Sequence, residues 1–303
     1  MQNSAQNWFI LRIEFLLEIV YVVAYPFNNS IFFMKKFPLL LLLIHFCSPL
    51  AADVSLPGIF SDNMVLQQNS TVEIWGWAKP LEEIKLVASW NGDTLSTVPD
   101  NQSHWEIAIQ TPQAGGPFTI TIQGNNRIVL KNVLIGEVWL CSGQSNMEWK
   151  ATSGINNAQQ EVAAANYENI RFFTVDHRTA LDPQIDLKSS SGWSACTPET
   201  MQNFSAVAYF FARRIYQQTG IPIGLINSSW GGTPAEAWTP ESIYLENENL
   251  AASAARLDEV PWGPIEPGRL YNAMIAPITR FDIAGAIWYQ GESNTRNADT
   301  YQE

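Results

Sequence analysis

From Asp53 to about Asn132 apolar and polar residues alternate with a period of two. Ile84, Leu86, Ala88 and Trp90 share one side of the pattern, as do Trp105, Ile107 and Ile109, and then Phe118, Ile120 and Ile122. Successive side chains of a strand point to opposite faces, so each set predicts a strand with one buried face. Asn91-Gly92-Asp93, Pro99-Asp100-Asn101 and Gly115-Gly116-Pro117 separate the sets and predict turns. Short alternating strands at this spacing predict a small β-sandwich domain over residues 53–132. It holds no catalytic constellation; His104, beside the Trp105 strand, is an ordinary surface-strand residue.

Beyond Asn132 the period changes. Val133-Leu134-Ile135 and Val138-Trp139-Leu140-Cys141 predict a buried strand that breaks into Ser142-Gly143-Gln144-Ser145-Asn146. Asn157 to Ala165 is helix-forming, Arg171 to Val175 predicts a short strand, and polar Asp176 to Ser191, with Pro183, predicts a loop. Ser205 to Thr219 sets Val207, Phe210, Phe211 and Ile215 on one helical face, with Gly220 as the left-handed stop and Pro222 barring continuation. A strand from Ile223 to Asn227 follows at once, a helix-to-strand unit of a parallel sheet. Pro240 to Leu257 predicts one helix, and Pro261-Trp262-Gly263-Pro264 with Pro267-Gly268 breaks the chain after it. Residues 133–303 therefore predict an α/β domain.

Three strands of this domain end alike. The first runs into Ser142–Asn146, the second (IPIGLINSSWGG, Ile221 to Gly232) into a Gly-Gly loop, and the third (AGAIWYQGESN, Ala284 to Asn294) into Gln290-Gly291-Glu292-Ser293-Asn294. Ligands of open α/β sheets bind outside the carboxyl ends of the strands, so the three loops predict one site. Ser145 suits a nucleophile, or else it caps a helix starting near Asn146; Ser142 is a weaker candidate. Gly231-Gly232 suits a turn whose backbone approaches a ligand, or an ordinary strand-ending turn. Trp139, Trp149, Trp230, Trp238 and Trp288 flank these loops. Trp139 and Trp288 lie on strands and predict core packing, whereas Trp149 and Trp230 are nearer the loop ends and suit stacking on sugar rings. The text around Ser145 lacks the second glycine of a G-x-S-x-G elbow, which argues against an α/β-hydrolase.

GQSNMEW, SSWGGTPAEAW and IWYQGESN, in that order, resemble the SGNH hydrolases, most closely the sialate O-acetylesterase-like branch, from about Leu56 to the last residue. The resemblance implies a flavodoxin-like parallel sheet with helices on both faces, preceded by the β-sandwich. It implies Ser145 as nucleophile, with an oxyanion hole from the Ser145 N–H, the N–H of Gly231 or Gly232, and the Gln290 amide. In the wider superfamily an asparagine in a G-x-N-D arrangement donates that amide; here Ser293 falls at its place, and Asn294 is the reserve. Trp149, Trp230, Glu292 and Asn294 are the candidates for lining the substrate. A glycosidase pair of Glu148 and Glu292 has no independent support. The family's last block, Asp-x-x-His, supplies the base and its orienter, and no Asp-x-x-His occurs here. The histidines are His45, His104 and His177, the last in a polar loop. The expectation is an esterase domain incomplete at its C-terminus and lacking its base. The implied activity is removal of acetyl groups from acetylated sialic acid, xylan or other plant glycans; the alternative of another class is a non-catalytic glycan-binding protein.

Composition narrows the partners. A net charge of −12 and a pI of about 4.7 exclude a basic nucleic-acid face. No Cys/His cluster has metal spacing, and no cofactor is expected. Cys47, Cys141 and Cys196 are too few for a disulfide framework; Cys141 and Cys196 make either one bridge or two buried thiols. Met34-Lys35-Lys36, the apolar run Phe37 to Phe46 and the small residues Ala51-Ala52 predict a signal peptide over residues 34–52. Residues 1–33 read as a non-native upstream extension or as a membrane anchor; Trp8 to Tyr25 is apolar but carries Arg12, Glu14 and Glu18. The expected location is periplasmic or secreted, with no membrane partner after cleavage.

Overall fold

The computed structural model describes residues 53–187 and 191–301. The expected upstream extension and signal peptide lie outside the described residues. Strands β1 (Val65–Gln67), β2 (Thr71–Trp77), β3 (Ile84–Ala88), β4 (Thr94–Thr97), β5 (His104–Gln110) and β6 (Gly115–Gln123) lead into the long strand β7 (Arg127–Gly143). β2 and β5 pair antiparallel as one sheet, and β4, β3, β6 and the first part of β7 pair antiparallel in another. The alternating residues meet between them: Val72, Ile74, Ile107 and Ile109 from one sheet share a core with Ile84, Leu86, Ile120, Ile122 and Leu130 from the other. Gly115-Gly116-Pro117, expected as a turn, instead begins β6, where Gly115 pairs with Ile135 ahead of a register shift at Phe118. The glycines serve close approach to β7, because a Cβ on Gly116 would stand 2.9 Å from the Val133 carbonyl oxygen.

β7 does not stop at the expected domain boundary of 132/133. Up to Ile135 it pairs antiparallel with β6, and from Glu137 to Gly143 it pairs parallel with β10 (Ile223–Ser229). Gly136 stands at the changeover, where a Cβ would overlap the Pro222 carbonyl. The parallel half runs β9 (Ser194–Cys196), β8 (Tyr167–Thr174), β10, β7 and β11 (Gly285–Tyr289), with only β9 antiparallel. Its described helices are α1 (Ser145–Glu148), α2 (Ala158–Ala163), α3 (Pro198–Met201), α4 (Ala206–Thr219), α5 (Ala235–Trp238), α6 (Glu241–Glu246) and α7 (Glu248–Ala254). Ile223 and Leu225 of β10 face a core with α4, while Ile226 faces the core that holds Ala237 and Trp238 of α5 and Met274, so both faces of β10 are covered. None of the described helices is long and apolar enough to cross a membrane.

α4 forms as its sequence predicts, capped by Ser205, whose Oγ accepts from the Ala208 N–H, and stopped by Gly220 at φ 69°. Its buried face differs. Ala206, Ala208, Tyr209 and Ala212 are buried, whereas Val207, Phe210, Phe211 and Ile215 are half-buried. Small residues let the helix lie close to the strands, and the larger ones wrap its flanks; Phe211 meets Trp139 edge-on at 4.9 Å. The single helix expected from Pro240 to Leu257 is two. Asn247 breaks it with φ −131° and ψ 106°, and its side chain accepts from the N–H groups of Asn249 and Leu250 to start α7. Cys141 and Cys196 are separate buried thiols, and burial pushes the Cys196 thiol up to about 12.

The consequence for function is one of register. Gly143 is the partner of Ser229 on β10 and of Tyr289 on β11, so three strands end at one level. Gly143 has φ 133°, and a Cβ there would overlap the Tyr289 carbonyl. Gly143→Ala should therefore lower unfolding free energy by about 2 kcal/mol or more. Gly92→Ala is the control: its φ is 75° with nothing within 4 Å, and the substitution should cost only about 1 kcal/mol. Urea unfolding measures both, and equal losses would show that the close approach at Gly143 is not tight.

Candidate active site

The three loops that leave this level are tied to one another by backbone groups. The Trp230 N–H donates to the Gly143 carbonyl at 3.1 Å and the Gln144 N–H to the Tyr289 carbonyl at 3.0 Å. The Gln144 side chain is buried, and its Oε1 accepts from the N–H groups of Gly291 at 3.3 Å and Ser293 at 3.2 Å. Next to it the Asn146 side-chain amide donates to Glu292. Gln144, not Ser145, is the N-cap of α1. Ser145 is exposed, and among the described residues its hydroxyl has no hydrogen bond, which removes the capping alternative. Ser142 is buried, with its hydroxyl donating to the Ser228 carbonyl at 2.6 Å, so it joins β7 to β10 and offers no free group.

The two glycines of the second loop part company. A Cβ on Gly231 would stand 3.3 Å from Ser145 Cβ, so Gly231 faces the serine. Gly232, at φ 76°, lies against the indole of Trp262, which a Cβ would overlap. The Gly231 N–H is engaged: it donates to Glu148 Oε2 at 2.7 Å. Glu148 is three residues after Ser145 on α1, and its Oε1 lies 3.2 Å from His177 Nε2. That ring nitrogen also lies 3.0 Å from the Ser229 carbonyl, and the ring stacks on Trp230 with centroids 4.2 Å apart. His177 is an exposed loop residue, as its sequence context predicts, but these contacts hold it beside Glu148 and Trp230. Burial alone pushes the Glu148 carboxyl up; hydrogen bonds from His177 and the Gly231 N–H, with smaller electrostatic help from His177 and Lys150, outweigh it and hold the group below the ordinary glutamate range.

Half-buried Gln290 and buried Asn294 stand in one amide network. Gln290 Nε2 donates to Asn294 Oδ1 at 2.6 Å and to the Thr233 carbonyl at 3.3 Å, while its Oε1 accepts from the Tyr301 hydroxyl at 2.6 Å. Asn294 is 3% exposed; its Nδ2 donates to Glu236 Oε2 at 2.6 Å and its Oδ1 accepts from the Ala235 N–H at 2.8 Å. Asn294 is therefore buried away from solvent, and its oxygen holds the Gln290 amide. Glu292 is exposed and held by Asn146, apart from the partners of Glu148, so the two carboxylates share no hydrogen-bonded group. Trp149 is exposed, with its indole N–H on the Gly154 carbonyl. One face of Trp230 is covered by His177. Trp288, expected in the core, is 48% exposed on β11, whereas Trp139 packs against Phe211. Among the described residues no group of three His, Cys, Asp or Glu stands together to hold a metal.

Sequence reasoning missed Gln144, Glu236 and Trp262. Only Glu236 carried a signal, as a lone charge inside the apolar run of TPAEAW.

The Glu148 contacts have a pH signature. A carboxyl depressed in the fold stabilises it above the unfolded value, and that stabilisation is lost as pH falls through the folded value. Glu148→Gln should cost about 1 kcal/mol at pH 7, and the gap should close below the ordinary glutamate value of 4.5. Urea unfolding of both forms from pH 7 to 3 measures it; a gap that stays constant to pH 3 would show that the anion contributes nothing.

Residues 135–303, more than half of the chain, match the carbohydrate esterase, sialic acid-specific acetylesterase family. The sialate O-acetylesterases of Pongo abelii and Homo sapiens are 33% and 32% identical to it over 262 residues, 80% of this chain and 49% of each relative. A crystal structure of a carbohydrate acetylesterase from Xanthomonas citri, 36% identical, matches with a TM-score of 0.70 over 80% of this chain and 52% of that one. The chain spans about half the length of the curated relatives it matches. A match of this extent shows the family: the chain belongs to the sialic acid-specific acetylesterase family of carbohydrate esterases, the branch of the SGNH hydrolases that its three motifs resemble.

Proposed function

We propose that this chain is the nucleophile-bearing part of a carbohydrate O-acetylesterase. The observation that carries the reading is the exposed, unengaged Ser145 hydroxyl beside the Gly231 backbone, at the level where three parallel strands end. Ser145 Oγ attacks an acetyl carbonyl carbon, and the carbonyl oxygen becomes an oxyanion. The Ser145 N–H and the Gly231 N–H stabilise it, the latter once Glu148 releases it. Gln290 joins them only by giving up the Thr233 carbonyl. Collapse of the tetrahedral intermediate, with the proton that the base took from Ser145 Oγ passed to the sugar oxygen, expels the sugar hydroxyl and leaves acetyl-Ser145; water then releases acetate and restores the Ser145 hydroxyl. Acetylated sialic acid and acetylated xylan or other plant glycans are the two substrate classes.

The base is proposed to come from an Asp-x-x-His segment of a longer gene product, since His177 is held by Glu148 and the Ser229 carbonyl. The occupied Gly231 N–H and the engaged Gln290 amide favour a second reading, a glycan-binding protein without catalysis. The two differ in outcome. The 303-residue chain should show no hydrolysis of 4-nitrophenyl acetate above a Ser145→Ala control. A gene product extended to include Asp-x-x-His should hydrolyse it, and Ser145→Ala should then lower kcat by about 10⁶. An inert extended protein leaves the binding reading. A short chain that is active and silenced by His177→Ala makes His177 the base.

Export is part of the proposal, resting on Met34 to Ala52. Expression from Met34 should give a periplasmic or secreted protein beginning near Asp53 by N-terminal sequencing. A product that stays in the cytoplasm with Met34 still at its N-terminus would rule the signal out.

A further inference from the structure

Trp262 belongs to a segment, Pro261-Trp262-Gly263-Pro264, that the sequence offers only as a break in the chain. In the fold it is held from two sides. Its carbonyl accepts from the Trp230 indole N–H at 2.9 Å, and its own indole N–H donates to the Gly232 carbonyl at 3.3 Å. Gly263 lets the segment lie on the second loop, because a Cβ there would come within 2.8 Å of the Thr233 side chain. The five-membered ring of the indole rests on Gly232, yet the residue is 58% exposed. A large aromatic side chain, fixed at its inner edge and bare over most of its surface, thus lies on Gly232, the neighbour of the Gly231 that faces Ser145.

The residue after Trp262, Gly263, lines a cavity of about 610 Å³, within the range of small-ligand sites. Gly263 and Pro264 form one wall, and Thr179 and Leu181, which follow His177 in the chain, form another; Glu259 and Arg269 also line it. Among the described residues the Arg269 guanidinium and the Glu259 carboxylate have no hydrogen bond or ion pair. The cavity therefore offers both donors and acceptors that the fold does not use. A pyranose ring has an apolar C–H face and a rim of hydroxyls. The first matches an exposed indole and the second a polar cavity beside it.

We propose that Trp262 and this cavity form a subsite for a pyranose ring of a glycan whose acetylated residue lies at Ser145. The inference deepens the esterase reading and rests on it for what occupies Ser145. Trp262 stacks on the ring, and Arg269, Glu259 and Thr179 take its hydroxyls. Trp149, fixed to Gly154, has no chain neighbour in the lining of this cavity and serves as the control.

Binding tests this without any turnover. The chain carrying Ser145→Ala is titrated calorimetrically with an O-acetylated xylo-oligosaccharide and with an O-acetylated sialyl oligosaccharide; whichever binds names the source of the ring. Trp262→Ala should weaken that binding about tenfold or more, with Trp262→Phe and Trp149→Ala within about threefold. As a check free of folding effects, the Trp262 indole N–H resonance, assigned by its loss in Trp262→Phe, should shift on addition of the sugar. Binding of neither saccharide, an affinity unchanged in Trp262→Ala, or an unmoved Trp262 resonance overturns the subsite. Tenfold loss in Trp262→Ala beside a complete lack of hydrolysis by the extended protein supports the subsite and removes the esterase reading alone.

Discussion

Ser229, Gly143 and Tyr289 stand side by side because β10 and β11 both pair in parallel with the last residues of β7. Parallel pairing fixes direction as well as neighbours, so each chain leaves the sheet at the same edge and turns into a loop there. The same strand is tied at its other end into the antiparallel sheet of the first half. A shift of β7 by one residue would turn its side chains to the opposite faces and disturb two cores at once. The position of Ser145 thus depends on apolar packing spread over the whole described chain, and the three loops inherit their alignment without having to specify it themselves.

At that edge the resting arrangement holds a competition. Gly231 faces the serine, and the carboxylate of Glu148 sits on its N–H as an anion. A backbone N–H at a partly buried position needs an acceptor, and a charged one is the strongest available. Glu148 supplies one while also meeting His177, which in turn stacks on Trp230. The pairing aligns the second loop in the absence of substrate. It also means that an oxyanion at Gly231 must displace a carboxylate already there.

Much of this was legible in the sequence. Period-two alternation located β3, β5 and β6, and the buried run before Ser142 located β7, because strands with a buried face leave that pattern in any single chain. The three loops were legible as Ser, Gly and amide residues at strand ends. What the sequence concealed was contact. Gly231 and Gly232 are the same residue type in tandem, and only their neighbours, Ser145 for one and Trp262 for the other, separate them. The α4 face was read from residue size, whereas close packing on the sheet favoured alanines. Asn247 and the Gly115-Gly116 pair changed the chain's course through backbone conformations that apolar periodicity does not record.

Gln290 shows how far a loop motif can depend on a group outside it. Glu236 is 5% exposed, and a carboxylate so placed is costly unless its oxygens are hydrogen-bonded. Its two partners, Asn294 at 2.6 Å and Asn297 at 3.3 Å, both come from the third loop. Asn294 then has its amide N–H₂ turned to Glu236 and its oxygen turned to Gln290 and the Ala235 N–H. That leaves Gln290 with its nitrogen inward and its oxygen on Tyr301. The chain of donors and acceptors has a direction set by the charge at its buried end: reversing Asn294 would set donor against donor, and reversing Gln290 would set acceptor against acceptor. The Glu236 carboxylate on α5 therefore decides which way the amide of the third loop faces. Asn297 Oδ1, buried without a hydrogen-bond partner among the described residues, marks the end of the chain where satisfaction runs out.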